Sequence, residues 1–427
     1  MLGRAGRCAR RLLSRTTSHN FGIKCKSRWF STSPCFQQIE DMSCLPERVV
    51  PSYKESRGSN LLTLRWPSPP KNIFLVSKKG SPTVTQSVVA FAKHIKSTYP
   101  EVSVILERDT AEEIHDTLSF PVYTSPLAHE IPPEKVDLVV TLGGDGTILH
   151  ASSFFATSKI VPPILSFSMG TLGFLGEWKF AEYKNAFREV YTSGTRSTAL
   201  HNGEGEGEEA SPDSPGAKIL VRSRIRVGVF APDGQPMHSG GVTLSSPADH
   251  VGGVHAMNEV TIHRGKQPHL AILEVYVGGQ FLTEAIVDGM IVSTPTGSTA
   301  YSLSSGGSIV HPLVPSLLLT PICPRSLSFR PLVVPATTPM TLRLSEKNRG
   351  REVEVSIDGV MMEQGLTVGM EVRVWGEEIR MPDGSWQGGI PCVMRKSVGQ
   401  NGDAAADGWV GGLNGLLKFN SPFGSET

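Results

Sequence analysis

Asp145 stands inside a run of glycines in DLVVTLGGDGTILHA, residues 137–151. Gly143, Gly144 and Gly146 can adopt positive φ and let backbone N–H groups approach an anion, and a helix starting near Thr147 points its positive end at the same place. The turn therefore has the makings of a phosphate cradle, with Gly143, Gly144 and Thr147 as its phosphate contacts. A carboxylate inside such a cradle is repelled by phosphate unless it faces a hydroxyl to be deprotonated or a metal that the phosphates also bind. Asp145 thus points to phosphoryl transfer rather than to nucleotide docking alone. The plainer alternative is a strand–helix turn whose Asp caps the helix. GGDGT has neither the GxGxxG spacing of a dinucleotide-binding turn nor the GK[ST] ending of a P-loop. On its own it leaves sugar, lipid and nucleotide kinases open.

A second group of residues is DGMIVSTPTGSTAYSLSSGG, Asp288 to Gly307. Its Ser, Thr and Gly offer hydroxyls and bare backbone to a polar ligand, and Tyr301 can stack on a ring. A Ser/Thr-rich turn between strands is the bland alternative.

Two kinds of element must position these groups. In the first half, NIFLVSK, VSVILE, VDLVVTL and PPILSFS read as buried strands. TQSVVAFAKHIKSTYP, TILHASSFF and FAEYKNAFREVY read as helices with apolar residues near 3.6 spacing. Such alternation predicts an α/β domain, residues 45–200, with an open, mostly parallel sheet. The acidic, Gly- and Pro-rich stretch 201–217 has almost nothing to bury and reads as a disordered surface insertion. From 218 to 385 the runs AKILVRSRIRVGVF, AILEVYVGGQFLTEAIV, MTLRLS, EVEVSID and MEVRVW alternate or are β-branched. They predict a second, all-β domain of sandwich type. The last segment, 386–427, turns apolar again in WVGGLNGLLKFN and is expected to return to the first domain.

Composition narrows the setting. The chain has 427 residues, 39% hydrophobic and 19% charged, with a formal net charge of +1. These are the figures of an ordinary globular chain, neither a nucleic-acid binder nor one with a run that spans a membrane. Charge is nonetheless uneven. The first acidic residue is Glu40, and eight Lys or Arg residues precede it, so the whole chain's +1 less that +8 leaves −7 on residues 40–427. An acid-free, basic, Ser/Thr-containing start resembles a mitochondrial transit peptide, and we assign residues 1–44 to leader and linker. The plainer reading is a basic arm for acidic surfaces. Cys8, Cys25, Cys35 and Cys44 sit in or beside that leader, leaving only Cys323 and Cys392, with no CxxC pair. A reducing compartment such as the mitochondrial matrix fits this usage.

Taken in order, LGGDGTIL, GTLGFLGEW, AMNEVTIHRG, DGMIVSTPTGSTAYSLSSGG, HPLVPSLLLTPICPRSLSFRPLVV and SIDG resemble the NAD kinases over roughly residues 70–365. Leader and tail look most like the fungal mitochondrial NADH kinases of that family. The resemblance implies that ATP, with Mg²⁺ or another divalent cation, phosphorylates the 2′-hydroxyl of the adenosine ribose of NAD(H). It implies Asp145 as the base or hydroxyl-orienting group, with Gly146, Asn258 and Glu259 holding the dinucleotide. His269, Asp288 and the segment Thr299, Ala300, Tyr301, Ser302, Leu303 and Ser304 fall on binding positions, as does Asp358 in SIDG. The family's habit further implies a homo-oligomer, a dimer or tetramer, with no nucleic-acid partner. A lipid kinase sharing the GGDGT turn and a non-catalytic dinucleotide sensor are the alternatives.

Overall fold

The structure, a computed structural model, describes residues 39–395 other than 57–58, 128–129, 171–172, 177, 195–215, 238–252, 382–383 and 385, together with Trp409, Leu413 and Leu417. The leader as far as residue 38, nearly all of the acidic insertion and most of the tail lie outside the described residues.

From the N-terminal side the elements are β1 (Ile39–Asp41), β2 (Ser52–Ser56), β3 (Ser59–Arg65), β4 (Asn72–Ser77) and α1 (Pro82–Thr98). Next come β5 (Ser103–Leu106), α2 (Arg108–Ile114), β6 (Val122–Thr124), β7 (Leu138–Gly143), α3 (Asp145–Ser153) and β8 (Ile164–Ser168). β9 (Trp178–Lys179), α4 (Tyr183–Tyr191) and β10 (Lys218–Arg222) follow. The all-β part comprises β11 (Ile225–Phe230), β12 (Val254–Ala256), β13 (Glu259–His263), β14 (Ala271–Val277), β15 (Gln280–Val287) and β16 (Gly289–Ser293). It continues with α5 (Tyr301–Ser304), β17 (Ser316–Ile322), β18 (Leu332–Pro335), β19 (Met340–Leu344), β20 (Glu352–Ile357), β21 (Val360–Met361), β22 (Leu366–Thr367) and β23 (Glu371–Gly376). A final strand, β24, spans Ile390–Met394.

The first sheet runs β1-β6-β5-β4-β7-β8-β24-β10-β3-β2, with β9 paired to β8. Pairing is parallel from β1 through β24 and antiparallel across β10, β3 and β2. β4, β7 and β8 are continuous apolar runs because both of their faces are covered. Ile73 and Leu75 of β4 pack with Val88 and Phe91 of α1 and Phe187 of α4 in one core. Phe74 and Val76, which alternate with them, pack with Ile148 and Ala151 of α3 in another. α3 thus lies against the face opposite α1, directly after the strand that carries the glycines.

The second half is a sandwich. One sheet runs β12-β11-β23-β19-β14-β15; the other runs β18-β17-β16-β13-β20-β21, with β22 on β20. Leu273, Val275, Leu342 and Val372 of the first meet Val260, Ile262, Val292 and Leu319 of the second in a single core, as period-two alternation requires.

Two boundaries differ from the sequence reading. Residues 39–44 are not linker: β1 pairs with β6 and Met42 is fully buried, so this stretch forms an edge of the first sheet. AKILVRSRIRVGVF is not one strand of the β domain. Its first part, β10, pairs with β24 and β3 in the first sheet, and its second part, β11, pairs with β12 and β23 in the sandwich. The C-terminal β24 lies between β8 and β10, inside the first sheet. No described helix is long and apolar enough to cross a membrane.

Candidate active site

The β7–α3 junction follows Gly143 directly. Helix α3 begins at Asp145 itself, with Gly144 at its N-cap in extended geometry (φ −108°). Contrary to expectation, none of Gly143, Gly144 and Gly146 has positive φ. Their lack of a side chain serves a different purpose. A Cβ on Gly143 would overlap the Thr147 side chain, whereas a Cβ on Gly144 or Gly146 would meet nothing within 4 Å. The first turn of α3, where N–H groups lack intrahelical partners, therefore faces open space at Gly144 and Gly146. Thr147 is buried at 8% exposure.

Asp145 does not cap its own helix. Its carboxylate accepts hydrogen bonds from the N–H of Phe174 (2.9 Å) and of Leu175 (3.1 Å). A Cβ on Gly173 would overlap that carboxylate. The loop after β8, from the GTLGFLGEW stretch, thus fixes the orientation of Asp145, and only glycine at 173 admits it so close. Nothing in GTLGFLGEW as a sequence marks Phe174 and Leu175 as partners of Asp145.

The second cluster is built on β13, β16 and β20. Asp358 follows β20 in a left-handed conformation (φ +47°), a region that Asp tolerates better than most residues. Its carboxylate accepts the N–H groups of Met257 (2.7 Å), Asn258 (2.7 Å) and Glu259 (3.0 Å). Burial raises the Asp358 pKa, with those three N–H groups opposing the rise. Glu259 is 8% exposed, and burial, then the charge of Asp358, pushes its pKa up to about 8. Asn258 Oδ1, Glu259 Oε2 and Ser293 Oγ are buried without a hydrogen-bond partner among the described residues. Glu259 and Ser293 sit directly opposite each other across β13–β16. Each such orphan costs about 1–3 kcal/mol in the free protein, a cost that a polar ligand recovers.

The turn leaving β16 is fastened to this cluster. Thr294 N donates to Asn258 O (2.8 Å) and Thr294 Oγ1 to Met257 O (2.6 Å). Gly297 packs so tightly on Asn258 that a Cβ would overlap its carbonyl. Thr299 Oγ1 turns inward to Thr296 O (3.1 Å) and Ala300 N donates to Gly297 O (3.0 Å). Tyr301 is 42% exposed, so its ring is free to stack, and Ser304 is exposed, with Leu303 half-buried. Ser302 is different. It is fully buried, and its hydroxyl meets Thr320 Oγ1 at 2.8 Å, so in this conformation it ties the turn to β17. Arg222 Nη1 reaches Thr296 Oγ1 at 3.5 Å from the first sheet, a link that nothing in the local sequence signals.

A cleft of about 490 Å³ has Gly146, Leu149, His150 and Ser153 of α3 on one side and Ile357, Asp358 and Met361 on the other, so each cluster contributes one residue to it, Gly146 and Asp358. Val227, Val229, Val254 and His255 complete its wall. Two of the expected binding residues lie elsewhere. Asp288 precedes β16 and His269 lies in the β13–β14 loop, at the opposite end of the β13–β16 pair from Glu259 and Ser293. Asp288 is paired with Arg264 (2.5 Å) and His269 is exposed.

Residues 74–195 match the ATP-NAD kinase N-terminal domain and residues 257–377 the ATP-NAD kinase C-terminal domain. The chain is 39% identical over 395 residues to the mitochondrial NADH kinase of Schizosaccharomyces pombe, covering 91% of this chain and 86% of that one. It is 35% identical over 444 residues to the mitochondrial NADH kinase of Saccharomyces cerevisiae, covering 97% and 94%. Its fold is similar to the crystal structure of yeast NADH kinase complexed with NADH, with a TM-score of 0.72 and 35% identity over 91% of this chain and all of that one. With both domains matched in order, and with Gly146 of the GGDGT turn and Asp358, which binds the Asn258 and Glu259 amides, lining one cleft, the chain belongs to the ATP-NAD kinase family.

Proposed function

We propose that this chain is a mitochondrial kinase that transfers the γ-phosphoryl group of ATP to the 2′-hydroxyl of the adenosine ribose of NADH or NAD⁺, giving NADPH or NADP⁺ and ADP. The observation that carries this reading is the shared cleft, with Gly146, next to Asp145, on one wall and Asp358, which holds Asn258 and Glu259, on the other. Family membership supplies ATP as donor, and the names of the two fungal relatives support NADH and mitochondria. The matrix is the destination that the basic leader favours.

Phosphoryl transfer asks the protein chiefly for positioning and charge stabilisation. Asp145, oriented by the Phe174 and Leu175 amides, aligns the 2′-hydroxyl and accepts its proton as the oxygen bonds to phosphorus. The exposed first turn of α3 at Gly144 and Gly146 offers N–H groups to phosphate oxygens. Asn258, Glu259 and Ser293 supply the buried polar atoms that dinucleotide hydroxyls satisfy, while Tyr301 offers a stacking face. Among the described residues no group of three or more His, Cys, Asp or Glu side chains is arranged to hold a metal ion. The divalent cation is proposed to arrive with ATP, held chiefly by its phosphates, where it neutralises phosphate charge. A homo-oligomer, dimer or tetramer, is proposed on the family's habit; Asp288, paired with Arg264, and His269 take no part in the single-chain cleft.

The test uses the full chain with ATP and Mg²⁺ and compares NADPH formation from NADH with NADP⁺ formation from NAD⁺. Faster turnover of NADH is expected. Equal or faster NAD⁺ turnover overturns the NADH preference, and no product from either substrate overturns the kinase reading in favour of a lipid substrate or a sensor. Asp145→Asn should keep dinucleotide affinity while lowering kcat by about 10²-fold or more. Undiminished turnover would exclude Asp145 as the base.

A further inference from the structure

The polypeptide passes between the first sheet and the sandwich at two places, Ser223–Arg224 between β10 and β11 and residues 377–389 between β23 and β24. Arg224 lies at the first and Glu377 at the second. Arg224 is 2% exposed and ranks among the largest fully buried side chains. Its Nε and Nη2 donate to the two carboxylate oxygens of Glu377 at 2.8 and 2.6 Å. Nη1 and Nη2 also donate to the carbonyls of Phe155 and Ser158, each at 2.9 Å. Glu377 in turn accepts from Gly389 N (2.9 Å), and its own N–H donates to Arg224 O (2.9 Å). His255 of β12 adds two bonds to the carbonyl between those two, from its N–H (2.7 Å) and Nδ1 (2.9 Å) to Ala156 O.

One guanidinium therefore joins both crossings and grips the carbonyls that follow α3. Those carbonyls lie in the turns just beyond the C-terminal, negative end of α3, where a cation is electrostatically favoured. A buried ion pair is weak evidence for stability, since apolar residues of similar volume often do as well. No apolar side chain, however, can fix three chain segments at once through directed bonds. α3 is nine residues long, about 13 Å at 1.5 Å per residue, and it carries Asp145 at its other end. A short helix moves as a rigid rod, so displacing its C-terminal end displaces the carboxylate.

We propose that Arg224 is a positioning residue for phosphoryl transfer. Acting through the end of α3, it sets where Asp145 stands relative to the Asn258–Glu259 cluster on the sandwich. The role rests on the kinase reading given above. Neither Arg224 nor Glu377 lines the cleft with Asp358 and Gly146, so neither touches a ligand held there, although the Arg224 charge also favours the ionised form of Asp358.

The experiment is a steady-state comparison of the full wild-type chain with Arg224→Lys, together with NADH affinity by fluorescence and thermal unfolding. Lysine keeps a positive charge beside Glu377 but cannot bridge the carboxylate and two carbonyls in one plane. The expected result is a kcat lowered roughly 10–100-fold with NADH affinity and KM for ATP within about threefold, in protein still folded at the assay temperature. Asp145→Asn added to Arg224→Lys should then cost less than it costs in the wild type, because both act on one group. If Arg224→Lys does not fold, Glu377→Gln, which keeps shape and one acceptor, is measured in the same way. A lowered unfolding temperature with unchanged kcat overturns the proposal and leaves Arg224 a structural residue, as does an equal loss in binding and turnover. A wild-type chain that forms no NADPH overturns the kinase reading and this role with it.

Discussion

Glu259 is a carboxyl group whose charged form is disfavoured by its buried setting. Burial and the neighbouring Asp358 raise its pKa to about 8, so near neutral pH it can donate as well as accept a hydrogen bond. In the unfolded chain it releases its proton near the ordinary glutamate value. Between those values the folded state binds the extra proton, so stability is full below the unfolded pKa and falls as pH rises through about 8. Glu259→Gln keeps the shape without the titration. Its unfolding temperature should gain on the wild type as pH rises from 5 to 9, by on the order of 5 °C. Parallel curves across that range would show that burial does not hold the proton. Asp145 was legible at this scale because its glycines are adjacent in sequence. Its partners were not: Phe174 and Leu175 lie 29 and 30 residues away, and only the fold brings their N–H groups to it.

Among elements, the turn after β16 shows how a binding segment is built from backbone contacts. Gly297 lets the turn settle on the Asn258 carbonyl, while Thr294 bonds the strand behind it. Gly297→Ala should separate the two and weaken NADH binding about tenfold or more, with a stability loss of roughly 1–3 kcal/mol. Titration by NADH fluorescence checks the first and denaturant unfolding the second; unaltered affinity would place the ligand away from this turn. The same scale marks the limit of pattern reading. Buried runs such as NIFLVS and the amphipathic α1 appear in sequence because their apolar spacing is local. The run from Ala217 to Phe230 reads as one alternating strand because Arg-Ser-Arg at its middle carries no Gly or Pro. Its division between two sheets is decided by distant partners, β24 and β23. The contact of the Ser302 hydroxyl with Thr320 is equally hidden in the sequence, because the two lie 18 residues apart and only the fold brings them together.

For the molecule as a whole, the two halves are interleaved rather than strung in series. The first sheet takes β10 from after the acidic insertion and β24 from after the sandwich, and Ile390, Cys392 and Met394 of β24 are buried. Ending the chain at residue 389 removes a strand with partners on both sides. Such a chain should show no cooperative thermal transition and should appear in the insoluble fraction on expression. A soluble product with a single sharp melt would mean that the sheet closes without β24. That placement also bears on the order of events in a cell. A chain synthesised, or drawn through a membrane, from its N-terminus has β9 on the far end of β8 early but leaves the Ile164 end with an open edge until more than two hundred further residues have followed. An unpaired inner strand of this kind is prone to the wrong partner. Completion of the first sheet thereby waits on delivery of β24, and a chain halted before it holds the parts of the cleft without the strand that joins β8 to β10.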